Sequence, residues 1–226
     1  MTDPNSNPFS DRTFTRFQDI PLFKYDLIMA DPPWPFETYS DQGKAKSAEN
    51  HYSTMTDQDI WDLPVGNWLG PNSIVWLWAT WPKLDAARAC AEAWGITYAT
   101  GGCWAKLSKN STFPSDKAKQ AFGTGYVMRG SSEPFLILTC GNPVTSKDVR
   151  NSIIAPVGEH SEKPQEAFLA AERLMPGATR LELFSRRSRP GWDVFGDQVG
   201  VLTPDYAAKG IERPASVDAG QPGFEF

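Results

Sequence analysis

Short apolar runs alternate with amphipathic segments along most of the chain. Continuous apolar runs of strand length predict buried strands, and apolar residues at helical spacing beside turn residues predict helices. The predicted strands are 25–30, 73–80, 97–106, 134–140 and 180–185, and the predicted helices are a short one capped by Thr56, then 82–94 and 164–174. Strands this apolar are covered on both faces, so the pattern predicts an α/β fold, a mostly parallel sheet with helices on both faces.

Polar segments rich in proline flank this alternating region at both ends. We predict a flexible N-terminal arm over residues 1–16, one domain over residues 17–202 and a weakly ordered C-terminal tail over residues 203–226. The chain has 226 residues, of which 40% are hydrophobic, and this suits a single globular domain with tails.

The charge and the cysteine content exclude several classes of protein. A net charge of −5 excludes a protein that holds polyanions by bulk positive charge, but it leaves room for a local basic surface. Three widely spaced cysteines and two histidines, with no Cys-x-x-Cys pair, predict neither a metal site nor a disulfide framework. No basic segment precedes an apolar one at the start, and no apolar run reaches membrane-spanning length, so we predict a reduced, cytoplasmic protein without a membrane partner.

Asp31-Pro32-Pro33-Trp34 directly follows the first predicted strand, at the end where α/β sheets bind ligands. An exocyclic base amine is a weak nucleophile because its lone pair is delocalised into the ring. If Asp31 accepts one N–H and the Pro32 carbonyl accepts the other, the lone pair becomes available for attack. The prolines stiffen this turn, and Trp34 offers a stacking face for the base. The tetrapeptide therefore predicts methylation of an exocyclic base amine.

Other motifs follow the tetrapeptide in an order that resembles one family, the MT-A70-type adenine-N6 methyltransferases. The resemblance runs from about Tyr25 to Gln198. Besides the tetrapeptide, the matching segments are 51–55 (HYSTM), 74–78 (IVWLW), 104–106 (WAK), 123–133 (GTG to Glu), 160–164 (HSEKP), 182–186 (ELFSR), 190–192 (PGW) and 196–198 (GDQ).

This resemblance implies a Rossmann-like class I methyltransferase in which the catalytic motif precedes the cofactor-binding strand, the permuted or β-class order. It implies S-adenosylmethionine as the cofactor and adenine N6 in nucleic acid as the target, with DNA favoured over RNA. The residues implied to contact the cofactor are Asp31, Lys106, Phe184, Arg186, Ser188, Arg189, Asp197 and Gln198. Of these, Lys106 would pair with the methionine carboxylate, and Asp197 with Gln198 would hold the ribose and adenine.

Two long polar loops, 35–50 and 108–120, are predicted to contact the nucleic acid. Their lysines would supply a positive potential that the net charge conceals. The predicted substrate-binding residues are Trp34, Lys44, Lys46, Tyr52 and Lys109. An alternative is that both loops are ordinary solvated surface.

Two further interpretations concern residues near these motifs. Segment 160–164 is interpreted as a helix start, and Glu133 as a structural residue that holds loop amides.

Two other functions remain open. The chain could be a catalytically silent nucleic-acid-binding partner of an active enzyme, but the intact tetrapeptide and Lys106 argue against this. The sequence leaves both a homodimer and a heterodimer open. Cytosine-N4 methylation poses the same amine problem, and those enzymes more often begin the tetrapeptide with Ser than with Asp.

Overall fold

A computed structural model describes residues 12–35, 54–125, 127–158 and 162–196. These residues form one sheet of eight strands in the order β1-β8-β7-β2-β3-β5-β4-β6. The strands are β1 (Thr13–Phe14), β2 (Tyr25–Ala30), β3 (Leu69–Trp78), β4 (Thr97–Leu107), β5 (Ser132–Cys140), β6 (Ser152–Pro156), β7 (Arg180–Leu183) and β8 (Asp193–Phe195).

Strand β5 runs antiparallel to both of its neighbours, β3 and β4. The other described pairings are parallel. The predicted class, a mixed α/β fold around a mostly parallel sheet, is therefore confirmed. Strand β5 is antiparallel because the connection from β4 to β5 starts and ends at the same edge of the sheet, which reverses the direction of the chain.

Alternate residues of the central strands face two separate hydrophobic cores. On β2, Ile28 and Ala30 pack into the first core, whereas Leu27 and Met29 pack into the second. Since successive side chains of a strand point to opposite faces, a strand buried on both faces has to be apolar throughout. This explains the unbroken apolar run from Leu27 to Ala30.

Helices cover both faces, as the sequence predicts. They are α1 (Asp57–Trp61), α2 (Val65–Trp68), α3 (Leu84–Ala93) and α4 (Gln165–Leu174). The first three contribute buried residues to the first core, and α4 contributes Ala167, Phe168 and Ala171 to the second. Thr56 caps α1 as predicted, since its side chain accepts from the Asp59 backbone N–H while the Asp59 carboxylate accepts from that of Thr56.

The sequence pattern misses the shortest elements. Strands β1, β6 and β8 and helix α2 were not predicted, and β1 lies within residues 1–16, which the sequence assigns to the arm. Thr13 and Phe14 pair with Val194 and Phe195, so this end of the assigned arm is part of the sheet. Residues 1–11 and the predicted tail, 203–226, lie outside the described residues.

One edge of the sheet gathers the ends of most strands. Strands β2, β3, β4, β6, β7 and β8 finish there and β5 begins there, as follows from their relative directions. We call it the catalytic edge. Within the described ranges, no helix is both long enough and apolar enough to cross a bilayer.

Candidate active site

The catalytic edge brings together residues that are far apart in sequence. Asp31 follows β2, Lys106 lies near the end of β4, and Glu133 lies at the start of β5, where it is opposite Trp104. Phe184 follows β7, and Lys163 lies just before α4. Their side chains meet because these strand and helix ends converge on one edge.

The turn after Asp31 is held at several points. The Trp34 backbone N–H donates to the Pro32 carbonyl at 2.8 Å, and the Pro33 carbonyl accepts from the Met55 N–H at 3.0 Å. The Trp34 indole N–H donates to the Trp78 carbonyl at 3.0 Å. A carbonyl oxygen has two lone pairs, so the Pro32 carbonyl retains capacity for a second donor.

Trp34 is packed into the first core with 4% of its surface exposed. In this arrangement its ring anchors the turn and is not open to a base. Its role as a stacking face stays a prediction, and stacking would require the side chain to leave the core.

Four charged side chains form an alternating chain that ends at Asp31. Lys163 Nζ lies 2.6 Å from Asp31 Oδ2 and 2.9 Å from Glu133 Oε1. Lys106 Nζ lies 2.6 Å from Glu133 Oε2. Lys163 also lies over the Trp78 ring, at 5.6 Å from its centroid. Glu133, interpreted from sequence as holding loop amides, instead bridges two lysines.

Exposure and charge give these groups distinct ionisation behaviour. The Lys163 side chain is 10% exposed and that of Asp31 is 33% exposed. Burial acts to lower the pKa of Lys163, but the carboxylates of Asp31 and Glu133 outweigh it, and the pKa is raised. Burial acts to raise the pKa of Glu133, but Lys163 and Lys106 hold it below its ordinary value. Burial raises the pKa of Asp31, and Lys163 opposes this.

A cleft opens beside these four charged side chains, and its walls are acidic, basic and aromatic. Its lining residues are Met29, Asp31, Trp78, Glu162, Lys163, Phe168, Glu182, Leu183, Phe184, Arg186, Arg187 and Arg189. Asp31, Phe184, Arg186 and Arg189 were predicted as cofactor-binding residues, and the structure brings them together here.

Phe184 adopts a backbone conformation that is unusual for its residue type. Its φ is +65°, in the left-handed region that costs a non-glycine residue about 1–3 kcal/mol. Its ring makes edge contacts with Phe17 and Phe195, at centroid distances of 6.4 and 6.2 Å. These contacts hold the strained residue at the wall of the cleft.

The arginines after β7 differ in their environment. Arg187 is buried and donates to Glu162 at 2.7 Å. Arg189 is buried too and donates to Gln165. Its guanidinium carbon lies 3.4 Å from the centroid of the Phe168 ring. Ser188 is exposed and is not among the described residues that line the cleft.

Glu182 is a cleft residue that the sequence reasoning did not assign to the site. Its Oε2 atom is buried and has no hydrogen-bond partner among the described residues, and Arg189 Nε lies 3.7 Å from it. Burial raises its pKa, against the effect of Arg189. An unpartnered buried carboxylate oxygen in a cleft favours a cationic or N–H ligand.

Lys163 was also missed as a site residue. Segment 160–164 was interpreted as a helix start, and Pro164 does precede α4, but the lysine side chain turns to Asp31. Its position between a catalytic-type carboxylate and a second acidic residue could not be deduced from spacing, because the three residues lie on separate elements.

The remaining predicted residues are distributed as follows. Lys106 reaches Asp31 only through Glu133 and Lys163, and it is not among the described residues lining the cleft. Lys109 is exposed on the connection from β4 to β5. The predicted residues Lys44, Lys46, Tyr52, Asp197 and Gln198 lie outside the described residues.

Comparison with known proteins identifies the family of the chain. The profile of the MT-A70 family matches residues 25–198. An N(6)-adenosine-methyltransferase MT-A70-like protein of Arabidopsis thaliana is 30% identical over 190 residues, 80% of this chain and 25% of that protein. The human N(6)-adenosine-methyltransferase catalytic subunit METTL3 is 28% identical over 208 residues, 88% of this chain and 33% of that protein.

A bacterial relative matches along most of both chains. Type II methyltransferase M.MunI from Mycoplasma sp is 25% identical over 202 residues, 81% of this chain and 81% of that protein. By contrast, the chain spans a quarter to a third of the length of the plant and human relatives described above. The family profile covers most of the described sheet and the whole cleft, and the chain therefore belongs to the MT-A70 family, as the order of its motifs predicts.

Proposed function

We propose that the chain is an S-adenosylmethionine-dependent methyltransferase that acts on the exocyclic N6 amine of adenine in nucleic acid. Membership of the MT-A70 family and the names of the relatives support the reaction class. The observation that carries the proposal is the placement of Asp31, which lines the cleft beside the rigid Pro32-Pro33 turn and is one-third exposed.

Asp31 and Pro32 supply two neighbouring acceptors for one amino group. Lys163 pairs with Oδ2 of Asp31, and Oδ1 has no described partner. The Pro32 carbonyl accepts one hydrogen bond from Trp34 and can accept another. An amine whose two N–H groups point at these oxygens is drawn towards tetrahedral geometry, and its lone pair is directed away from them.

The cleft residues fit the amino-acid end of S-adenosylmethionine, which carries both an ammonium and a carboxylate. The unpartnered Oε2 of Glu182 is suited to the ammonium, and the Arg186 guanidinium is suited to the carboxylate. The Phe184 ring offers an apolar wall for the nucleoside. When bound, this cofactor supplies a methyl group activated by a positively charged sulfur.

The chain's own contribution is orientation and proton handling. The nitrogen gains a methyl group and loses a proton, and Asp31 receives that proton. Lys163, held between Asp31 and Glu133, favours the ionised form of Asp31 and fixes its orientation. Orientation of reacting groups accounts for a large share of such rate enhancements.

We propose DNA as the substrate in preference to RNA. The support is that the type II methyltransferase M.MunI matches 81% of both chains, whereas the N(6)-adenosine-methyltransferases match over only a quarter to a third of theirs. A duplex substrate has to expose its base, since the amine inside a stacked duplex cannot reach a recessed carboxylate.

The test of the catalytic assignment is Asp31→Asn. The amide keeps the shape but accepts no proton, so we expect turnover to fall by about 100-fold or more. Cofactor affinity, measured by calorimetry, should change far less. The matched control is Asp62→Asn at the exposed C-terminal end of α1, which should retain full activity. Undiminished turnover in Asp31→Asn would refute the assignment.

The test of the product is nucleoside mass spectrometry of DNA and RNA from cells that express the protein. We expect N6-methyladenine in DNA that is absent when Asp31→Asn is expressed. N4-methylcytosine in its place would identify the cytosine reaction, and N6-methyladenine confined to RNA would correct the substrate. Calorimetry that detects no cofactor binding would indicate the silent-partner role.

A further inference from the structure

The connection from β4 to β5, residues 108–131, carries a net positive charge, although the chain as a whole is negative. We call it the basic loop. It contains four basic residues and one acidic residue, Asp116, which gives a net charge of +3 in a chain whose total is −5. The basic residues are Lys109, Lys117, Lys119 and Arg129. All four are exposed, so the positive charge faces solvent.

The basic loop is anchored by hydrogen bonds at its base. The Ala121 N–H donates to the Lys106 carbonyl at 2.8 Å, and the Ser108 N–H donates to the Lys119 carbonyl at 2.8 Å. The Gly123 N–H donates to the Gly130 carbonyl at 2.8 Å. The loop therefore presents its side chains from a fixed base directly beside Lys106.

Exposed aromatic rings accompany these charges. Phe122 is 82% exposed, and the Arg129 guanidinium lies over its ring at 5.5 Å from the centroid. Trp81, just after β3, is 54% exposed and its indole N–H donates to Ser132 Oγ at 3.1 Å, next to Glu133. Large exposed rings beside basic side chains are typical of surfaces on which unpaired bases stack.

The path from this surface to the cleft is continuous. Lys106 accepts from the base of the loop through its carbonyl and pairs with Glu133 through its side chain. Glu133 in turn pairs with Lys163, which pairs with Asp31. A polynucleotide whose adenine reaches Asp31 has to continue across the catalytic edge, and the basic loop is the positively charged part of that edge.

We propose that the basic loop and Trp81 bind a single-stranded segment of nucleic acid that flanks the target adenine. The inference rests on the proposed function and extends it to the form of the substrate. Lys117 and Lys119 contact phosphates, and Phe122 and Trp81 stack on unpaired bases. A duplex offers phosphates but no free base faces, so the rings distinguish single strands from duplexes. Trp34 is packed in the core, whereas Phe122 and Trp81 are exposed and so are available for stacking.

Fluorescence anisotropy tests this surface. The probe is a labelled single strand of about 16 nucleotides, as DNA and as RNA, and the same sequence as a duplex. The single strand should bind more tightly than the duplex. Phe122→Ala and Trp81→Ala should each weaken single-strand binding by about 5- to 150-fold, the range expected for one stacked base. The double variant Lys117→Gln with Lys119→Gln should flatten the dependence of log K on log salt by about 1.4.

Matched controls lie at the opposite edge of the sheet. Phe23→Ala removes an exposed ring from the turn before β2, and Lys147→Gln with Arg150→Gln removes two exposed positive charges from the connection between β5 and β6. Both should bind the strand as wild type does. Equal losses in the controls and the loop variants would overturn the inference, as would a wild-type protein that binds the duplex more tightly than the single strand.

Failure of this inference and failure of the proposed function give different results. If wild type methylates adenine but the loop variants bind and react like wild type, the surface is wrong and the function stands. If wild type binds the strand through this surface but makes no methylated base, the function is wrong and the surface stands. If the loop variants keep wild-type affinity for the strand but change the molar mass measured by light scattering, the surface binds a protein and the inference is overturned.

Discussion

At the scale of single residues, Lys163 has the most constrained position in the candidate site. It is almost fully buried, its ammonium contacts Asp31 and Glu133, and it lies over the Trp78 ring. A buried ion is stable only when its partners compensate for lost hydration. Two carboxylates do so here, and in return Lys163 opposes the effect of burial on Asp31. Lys163 is therefore a positioning residue that sets the ionisation of Asp31.

Substitution of this lysine should change the pH dependence of the reaction. In Lys163→Met, only Arg186 remains to oppose burial and the charge of Glu133, so the pKa of Asp31 rises further. In the proposed mechanism an ionised Asp31 is the active form. The acidic limb of the kcat profile should therefore move to higher pH, and turnover near neutrality should fall by about 10-fold or more.

The conservative variant separates charge from packing. Lys163→Arg keeps the positive charge, so its acidic limb should remain close to that of wild type even if turnover declines. A profile of Lys163→Met that only scales down, with its acidic limb unmoved, would show that the lysine does not control Asp31.

Sequence reasoning places single residues well where they end a predicted strand. Asp31 follows a strand whose apolar run is unmistakable, and Phe184 lies near the end of the predicted strand 180–185, so their position at a binding edge could be predicted. Glu133 and Lys163 could not be placed in this way. Their contact depends on the antiparallel direction of β5 and on the path of the chain into α4, which no local pattern encodes.

At the scale of elements, Asp193 joins three strands beneath the site. It lies at the start of β8, is buried, and accepts from Lys24 Nζ at 2.6 Å and from the Tyr25 hydroxyl at 2.7 Å. Its other oxygen accepts from the Arg12 backbone N–H at 3.0 Å. The carboxylate thus ties β8 to the start of β2 and to the residue before β1.

Asp193→Asn should loosen this junction. The amide carries no charge for Lys24 and offers one oxygen where the carboxylate offers two, so one buried donor loses its acceptor. We expect the free energy of unfolding to fall by about 1.5–3 kcal/mol, as for other hydrogen bonds to a charged group. Urea denaturation would measure the loss, with the exposed Asp116→Asn as the control. A loss below about 0.5 kcal/mol would contradict the assigned role.

The elements that escaped prediction are those stabilised from outside themselves. Strand β8 has three residues and β1 has two, too few to show an alternation. Both depend on Asp193, and β8 pairs with β7 while β1 pairs with β8. Strand β6 has only five residues, lies at an edge of the sheet and ends in Pro156, a residue that argues against a strand when only the sequence is read. By contrast, β2 and β5 are buried and recognisable from their apolar residues alone.

At the scale of the whole molecule, stability and function occupy different places. Two cores on opposite faces of the sheet supply the apolar burial, whereas the catalytic edge concentrates charged groups. Glu182 is the clearest example of a residue placed for function at the expense of stability. Its buried Oε2 lacks a described hydrogen-bond partner, and its pKa is raised by burial. Such a group contributes little to folding and becomes useful when a ligand supplies the missing donor.

Cofactor binding should therefore stabilise the whole fold through this edge. A ligand at about 100 times its Kd adds about 2.7 kcal/mol, which for a chain of this size raises Tm by about 5–10 °C. In Glu182→Gln the buried charge is absent and the ammonium loses its carboxylate partner. The unliganded Tm should then stay near that of wild type or increase, while the shift produced by S-adenosylmethionine shrinks by more than half. Glu166→Gln, an exposed change in the first turn of α4, should keep the full shift. Differential scanning calorimetry would measure these Tm values. An equal rise of Tm on cofactor binding in wild type and in Glu182→Gln would show that the ammonium binds elsewhere.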